Sequence, residues 1–327
     1  MRKSITIATM CLSIFFLGAF TASAADPCDR KCLERHADKV LEAMIEHDPG
    51  RLMLAKDVVY TENGVELILG DGLWGTASAR GKYSLYVSDV ETGQVGFYGT
   101  LSELGNRDYI ALRVKVYEAL IEEIEVVVAR PSGSIQGADG QPAPSAGEIL
   151  NGKKPREQFL KAVPKEERMS REELIRVANT YFTGLANQTG DFTAPFAGSC
   201  ERWENGIQST NQPPNPNTSS GGIDILSMGC EEQQKSGWFA FVTEIRDRRY
   251  PVVDIERGLV FSFAFFDHNA AVRTYPLPDG TMTPNILTYP QTIEISELFK
   301  IRKGRIDQIE AVINAVPYRM SSEVWDK

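Results

Sequence analysis

Histidine is scarce in this chain of 327 residues. The three that occur, at 36, 47 and 268, show no spacing suited to a zinc centre. Other signatures are missing: there is no P-loop, no H-E-x-x-H and no G-x-S-x-G, so the sequence gives no sign of nucleotide, zinc-protease or serine-hydrolase chemistry. Basic charge is short, with 35 Lys and Arg against 44 Asp and Glu, a formal charge of −9. No basic patch is available to neutralise phosphates, which argues against a nucleic-acid partner. Long apolar runs are lacking too. The only extended one, Met10–Phe20, is short for a bilayer span.

That run is part of a leader. Arg2 and Lys3 form a basic start, Met10–Phe20 an apolar centre, and Ala22-Ser23-Ala24 a small-residue cleavage site, so residues 1–24 read as a signal peptide. Cleavage leaves 303 residues and moves the charge from −9 to −11 by removing Arg2 and Lys3. The expectation is an exported protein, in a bacterial periplasm or outside the cell, with no membrane attachment after cleavage. Cys11 leaves with the leader. Cys28, Cys32, Cys200 and Cys230 remain, and an even count in an oxidising compartment points to disulfides. Cys28 and Cys32 are one helical turn apart. Cys200 and Cys230 bracket a polar loop, where a bridge is worth roughly 3 kcal/mol in chain entropy. Zinc is the rival reading, against which the scattered histidines speak, and no metal is expected.

The rest of the chain says the same thing twice. YTENGVEL at 60–67 echoes RWENGIQS at 202–209, VSDVETGQVGF at 87–97 echoes VVDIERGLVFS at 252–262, and 110–131 echoes 295–317. The echoes keep their order while the offset grows from 142 to 165 to 185, so the second copy carries insertions. Two similar domains follow, at 25–130 and 168–327, joined by a linker and connecting arm at 131–167. The Pro-, Gly- and Ser-rich stretch 131–147 is the linker by composition. Residues 211–222 read as a surface loop containing the sequon Asn217-Thr218-Ser219.

Each copy opens with an amphipathic helix: Cys32–Glu46 with Leu33, Ala37, Val40, Leu41, Met44 and Ile45 on one stripe, then a second behind the capping box Ser170/Glu173. The Asn-Gly dipeptides turn a strand, and helices are expected at 76–87 and 231–245. Strands fill the remainder. Leu259, Phe261, Phe263 and Phe265 alternate with Val260, Ser262, Ala264 and Phe266. In the last strand Ile309, Ala311 and Ile313 oppose Glu310, Val312 and Asn314.

The hairpin Phe299-Lys300-Ile301-Arg302-Lys303-Gly304-Arg305-Ile306-Asp307-Gln308-Ile309 resembles the closing hairpin of the nuclear transport factor two-like fold, the ketosteroid isomerase or polyketide cyclase superfamily. The first copy matches through Arg113–Val116 and Leu120–Ile124 but lacks the turn glycine. TENGVELILGDGLWGT (61–76) and YPVVDIERGLVFSFAFFDH (250–268) also resemble exported tandem-domain proteins of unknown function from bacteria and fungi. The resemblance covers most of 28–131 and 168–320. It implies an α+β chain of two tandem cystatin-like or nuclear transport factor two-like cones, each a curved antiparallel sheet packed on helices. Such cones hold apolar ligands, some as cofactor-free isomerases, dehydratases or lyases built on one carboxylate or a His–Asp pair. The superfamily's functions vary too widely for the fold alone to name a reaction.

The candidate catalytic residues are His268, Asp267 and Glu310. Asp267-His268 ends the aromatic strand, where a histidine beside a carboxylate suits a general base, although neighbours on a strand face opposite ways. A polar strand end is the blander explanation. Glu310 lies mid-strand, where the cone interior is expected, and Glu125 is its counterpart; a solvent-facing acid is the alternative. Tyr181, Trp203, Trp238 and Phe263 are candidate ligand-binding residues, because aromatic side chains crowd the second copy. Glu62 and Glu204, and Asp89/Glu91 and Asp254/Glu256, read as turn-capping acids. Arg246, Arg248 and Arg249 read as a basic cluster at a helix end. Gly70-Asp71-Gly72-Leu73-Trp74-Gly75 fits G-x-G-x-x-G by letter only, without a βαβ context. The function expected is a cofactor-free isomerase-, dehydratase- or lyase-type enzyme acting on a small apolar or aromatic molecule in the second cone. The alternatives are a non-catalytic binder of such molecules or a structural module, with homo-oligomerisation through the sheet faces left open.

Overall fold

The structure is a computed structural model. It describes residues 28–131, 144–187, 192–215, 223–322 apart from 278 and 286, and 324–325. The leader 1–24, most of the linker and the sequon at Asn217 lie outside the described residues.

In chain order the first copy is α1 (Arg30–Ile45), β1 (Leu54–Glu62), β2 (Val65–Glu66), α2 (Leu73–Thr76), β3 (Ala77–Asp89), β4 (Gln94–Glu103), β5 (Asn106–Tyr117) and β6 (Leu120–Ala129). The connecting arm holds α3 (Ala146–Ile149) and α4 (Glu157–Leu160). The second copy is α5 (Arg171–Ala186), β7 (Phe196–Glu204), β8 (Ile207–Gln208), α6 (Cys230–Lys235), β9 (Glu244–Asp254), β10 (Leu259–His268), β11 (Thr274–Pro276), β12 (Met282–Pro284), β13 (Gln291–Arg302) and β14 (Arg305–Val316). The sheet orders are β2-β1-β6-β5-β4-β3 and β8-β7-β14-β13-β10-β9, the same path drawn twice. The fold is thus α+β with two six-stranded sheets. They are mixed rather than antiparallel, because β1 runs parallel to β6 and β7 parallel to β14.

Local chemistry sets the turns. Asn63-Gly64 and Asn205-Gly206 each take two positive φ angles, the backbone of a two-residue hairpin whose twist matches the strands. Lys303-Gly304 turns β13 into β14 the same way, and Glu118-Ala119 does so in the first copy, where Ala119 bears a φ of 65° without a glycine's freedom. Ser170 and Glu173 form the capping box of α5.

Two expected helices are corrected. Residues 77–89 are strand β3: Tyr83, Leu85 and Val87 are buried together between the sheets, a period of two that a helix cannot offer. Of 231–245 only the first turn and a half is α-helix. Gly237 then takes a left-handed φ of 67°, Trp238–Phe241 form a 3-10 turn, and β9 begins at Glu244.

Each sheet is covered on both faces. One face packs on its own helix: Leu33, Ala37, Val40, Leu41 and Met44 of α1 against Phe97, Leu112 and Val126, and Leu174, Val177, Tyr181 and Phe182 of α5 against Val260, Phe299 and Ile309. The opposite faces pack on each other in a third core, a seam that joins Tyr83, Leu85, Tyr98, Tyr109 and Val127 to Val252, Phe261, Phe263, Leu298 and Val312. The layers therefore run helix, sheet, sheet, helix. The sheet faces considered for self-association are occupied by the chain's own other sheet. Repeat-equivalent positions meet there. Gly96 and Phe261 share the same place in the two copies, and a Cβ on Gly96 would stand 2.6 Å from the Phe261 ring. One copy supplies the knob and the other the hole. Leu150 and Phe159 of the connecting arm add to this core.

The repeated D-x-E-x-G acids close one end of the seam by a reciprocal exchange. Arg30, first residue of α1, reaches Asp254 (2.6 Å) and Glu256 (2.7 Å) of the second copy. Arg171, first residue of α5, pairs with Asp89 and lies 3.5 Å from Glu91 of the first. The acids cap their own turns as well, through Thr92 N to Asp89 and Arg257 N to Asp254. Disulfides join Cys28 to Cys32 and Cys200 to Cys230, which is compatible with an exported protein. Among the described residues no helix is long and apolar enough to cross a membrane.

Candidate functional site

The face a strand residue takes decides what it can do here, because one face packs into a helix-covered core, termed the cone side below, and the other into the seam. On β14, Ile309 and Ala311 line the second cone while Glu310 and Val312 enter the seam. Glu310 is therefore neither in the cone interior nor in solvent. It is 1 % exposed, accepts hydrogen bonds from Tyr83 (2.6 Å) and Tyr109 of the first copy, and sits 3.0 Å from Arg156 of the arm. Two phenols and a guanidinium commit this carboxylate to holding the sheets together. Glu125 is the mirror case, paired with Arg113 (2.7 Å) and with Arg249 of the second copy. Burial alone would raise its pKa, but the Arg249 and Arg113 guanidiniums outweigh it and hold it below the usual value.

The other candidates disperse. Phe263 lies in the seam under Arg249, and Trp203 on the seam side of β7 under Arg156. Asp267 also faces away from the cone, bound by Arg246 (2.8 Å) and the Thr292 hydroxyl (2.6 Å); burial would raise its pKa, yet these partners lower it. His268 lies on the other side of its strand and makes no pair with Asp267. It stacks on Phe241, with ring centroids 5.4 Å apart, and its Nδ1 stands 3.3 Å from the Phe241 carbonyl. Burial lowers its pKa, and Phe241 and Asp267 only partly oppose that. Trp238 belongs to the same cluster, its carbonyl accepting from the Tyr275 hydroxyl at 2.6 Å. The three arginines lie on β9 rather than at a helix end. Arg246 and Arg249 serve Asp267 and Glu125, while Arg248 serves Asn179 and Thr183.

Tyr181 lies in the helix-covered core of the second copy, and its surroundings hold a further buried acid. On β13, Ile295, Phe299 and Ile301 face the cone. Glu297 shares their face by alternation, 1 % exposed, between α5 and β7. The Tyr181 hydroxyl donates toward it, and Arg202 and Glu204 of β7 lie near enough to act on its charge. Arg202 is buried, stacks on the rings of Tyr181 (5.8 Å) and Phe239 (5.2 Å), and donates to Glu204 and to Gln233 of α6. The Gln234 side chain donates to the Tyr181 carbonyl at 3.0 Å, so α6 covers this end of the cone. The Cys200–Cys230 bridge ties the start of α6 to β7.

Burial pushes Glu297 up to about 8. Arg202 pulls against that, Glu204 adds to it, and Tyr181 opposes it, with burial the victor. One carboxyl oxygen, Oε2, is buried with no hydrogen-bond partner. A neutral carboxylic acid with a free oxygen, a phenol and a guanidinium among aromatic rings can give or take a proton. At the matching positions the first copy differs: by the repeat offsets Leu112 stands for Glu297 and Tyr60 for Arg202, while Glu62 stands for Glu204 and takes bonds from Tyr60 (3.0 Å) and Leu73 N (2.6 Å). Its own buried acid is Asp108 of β5, with both carboxyl oxygens unpartnered, raised to about 7 by burial and by Glu103. Another buried acid, Glu294, is raised to about 8 by burial and by Glu125, but it faces the seam beside Gly64. The available signal was the alternation I-S-E-L-F-K-I, which puts Glu297 on the face of Ile295 and Phe299.

The surface hollows lie elsewhere, none of those described here being lined by Glu297, Tyr181 or Arg202. One of 320 Å³ sits between the two D-x-E turns and one of 400 Å³ at the seam edge by Arg113, Arg249 and Trp325. A third, of 480 Å³, lies beside α6 at Ile223, Met228 and Leu277. A narrow one of 10 Å³ is lined by Gly184, Gln234 and Phe239, and Phe239 also stacks on Arg202.

Compared with known proteins, residues 167–313 match a family model described as a domain of unknown function (DUF8021). That range takes in Tyr181, Arg202, Gln233 and Glu297. No curated protein matches the chain. Among solved structures, the crystal structure of a de novo designed protein with curved β-sheet is similar over 45 % of this chain and 88 % of that one, at 15 % identity and a TM-score of 0.27.

Proposed function

We propose that the protein is an exported, cofactor-free acid–base enzyme of the isomerase, dehydratase or lyase type. It takes a small apolar or aromatic substrate in its second domain, a cone of the nuclear transport factor two-like kind, with Glu297 as the proton carrier. The observation that carries this reading is an acid of the second copy buried among aromatic side chains, beside a phenol and a guanidinium, with one oxygen unpartnered. Glu125 and Asp267 are bound by arginines and Glu310 by two tyrosines of the other copy, whereas Glu297 faces the aromatic core of its own copy.

With a pKa of about 8, Glu297 is mostly protonated at neutral pH, about nine parts in ten, and switches readily between acid and base. As base it takes a proton from the carbon beside a carbonyl and returns it to a neighbouring atom. The Arg202 guanidinium and the Tyr181 hydroxyl stabilise the oxyanion that develops between those steps.

The test is hydrogen–deuterium exchange at carbon. A panel of aryl ketones and cyclic enones is incubated with the protein in deuterated buffer and followed by NMR. Catalysed exchange is expected with wild type and is expected to fall at least about 100-fold in Glu297→Gln, the usual loss on removing a general base. Binding of panel members with no exchange in wild type would overturn catalysis and leave the binding protein as the function.

A further inference from the structure

The opening turn of α1 carries a cluster that lies apart from the second cone. Cys28, Cys32 and His36 are spaced four residues apart, so the helix stacks them on one side. Their donor atoms, two sulfurs and an imidazole nitrogen, all lie within 4.8 Å of one another, and all three residues are half-buried. The histidines show no ligand spacing among themselves, but His36 falls in step with the two cysteines.

We propose that Cys28, Cys32 and His36 form a redox-gated site that binds one thiophilic metal ion, Cu(I) or Zn(II), once the Cys28–Cys32 disulfide is reduced. Donor chemistry supports it. Two thiolates and an imidazole are a ligand set these ions prefer, and three protein ligands leave a coordination position open to water or a small ligand. A second, independent observation is that His36 Nδ1 is buried with no hydrogen-bond partner. The helix start is fixed without the bridge, because Asp29 accepts from Cys32 N at 2.8 Å. Cys28 also packs against the first core, which holds that sulfur near its partners after reduction.

The two states exclude each other. A dithiol reductant, such as a thioredoxin-like protein, gives two electrons and two protons to the disulfide and itself becomes a disulfide. The two thiols then lose their protons to solvent as the metal binds. In the reverse direction a disulfide oxidant exchanges with the two thiolates: the ion leaves, the Cys28–Cys32 bridge re-forms, and the oxidant takes up two electrons and two protons to become a dithiol.

The experiment uses the full mature chain under argon with graded dithiothreitol. Alkylation and peptide mass identify which thiols are open, and Zn(II) is titrated against a chromophoric chelator with Co(II) absorption as the readout of sulfur ligation. One ion per chain is expected after Cys28–Cys32 opens and none before. His36→Ala is expected to weaken binding at least tenfold, Cys32→Ser to abolish it, and His47→Ala to leave it unchanged. If both disulfides open together, His36→Ala and Cys32→Ser still assign the ion. Reduced protein that takes up no metal, or takes it up equally in both variants, overturns the proposal.

Discussion

Replacing Glu297 by glutamine keeps its size and removes its charge, and the consequence can be worked from the site. In the cone the carboxyl titrates near 8; in the unfolded chain it returns to its ordinary 4.5. Below pH 4.5 both states carry it neutral, and it makes no demand on the fold. Between pH 4.5 and 8 the unfolded chain ionises first, so wild type loses stability as pH rises, by about 3 kcal/mol at pH 7 and about 5 kcal/mol well above pH 8. Glutamine cannot ionise. Urea unfolding of both proteins from pH 4 to 9 should therefore show curves that diverge with pH, the variant gaining on wild type by about 3 kcal/mol between pH 4.5 and 7. Glu294 titrates in the same window, but it is present in both proteins and cancels in the difference. Parallel curves would mean that the carboxyl is ionised or hydrated in the folded cone. The acid–base role would then lose its premise.

Two further outcomes test the architecture. Arg30→Ala leaves Asp254, 1 % exposed, without its guanidinium, and Arg171→Ala does the same to Asp89; each should cost about 1–3 kcal/mol in chemical unfolding. Equal stability would show that the exchange between copies is incidental. Phe261→Ala empties the centre of the seam and should cost about 3–5 kcal/mol. Gly96→Ala should cost about 1–3 kcal/mol in wild type and much less once Phe261 is alanine, because the ring it strikes is gone. Additive costs would sink the knob-and-hole account.

Local chemistry explains how much of the fold was readable. Asn-Gly pairs forced hairpin backbones, the S-x-x-E box started α5, and the echoes gave two copies of one strand path. The helices expected at 76–87 and 231–245 failed for different reasons: the alternation Tyr83-Ser84-Leu85-Tyr86-Val87 already spells a strand, and in 231–245 the left-handed Gly237 ends the helix after its first turn and a half. The candidate site failed for another reason. In a sheet with one wet face, a mid-strand acid points to solvent or to the core, and the apolar residues show which. Here both faces are dry. Glu310 and Glu297 both alternate with apolar residues, and nothing local tells the seam from the cone.

The sequence by itself determined the duplication, the turns, the opening helices and the alternation along each strand, since these depend on backbone preferences and near neighbours. Tertiary structure alone decided which face of each sheet meets a helix and which meets the other copy. That choice rests on contacts between residues more than a hundred positions apart, such as Tyr83 with Glu310 and Gly96 with Phe261. It turned the expected catalytic Glu310 into an anchor of the seam and set Glu297, on the other face of the same sheet, against the helix-covered core.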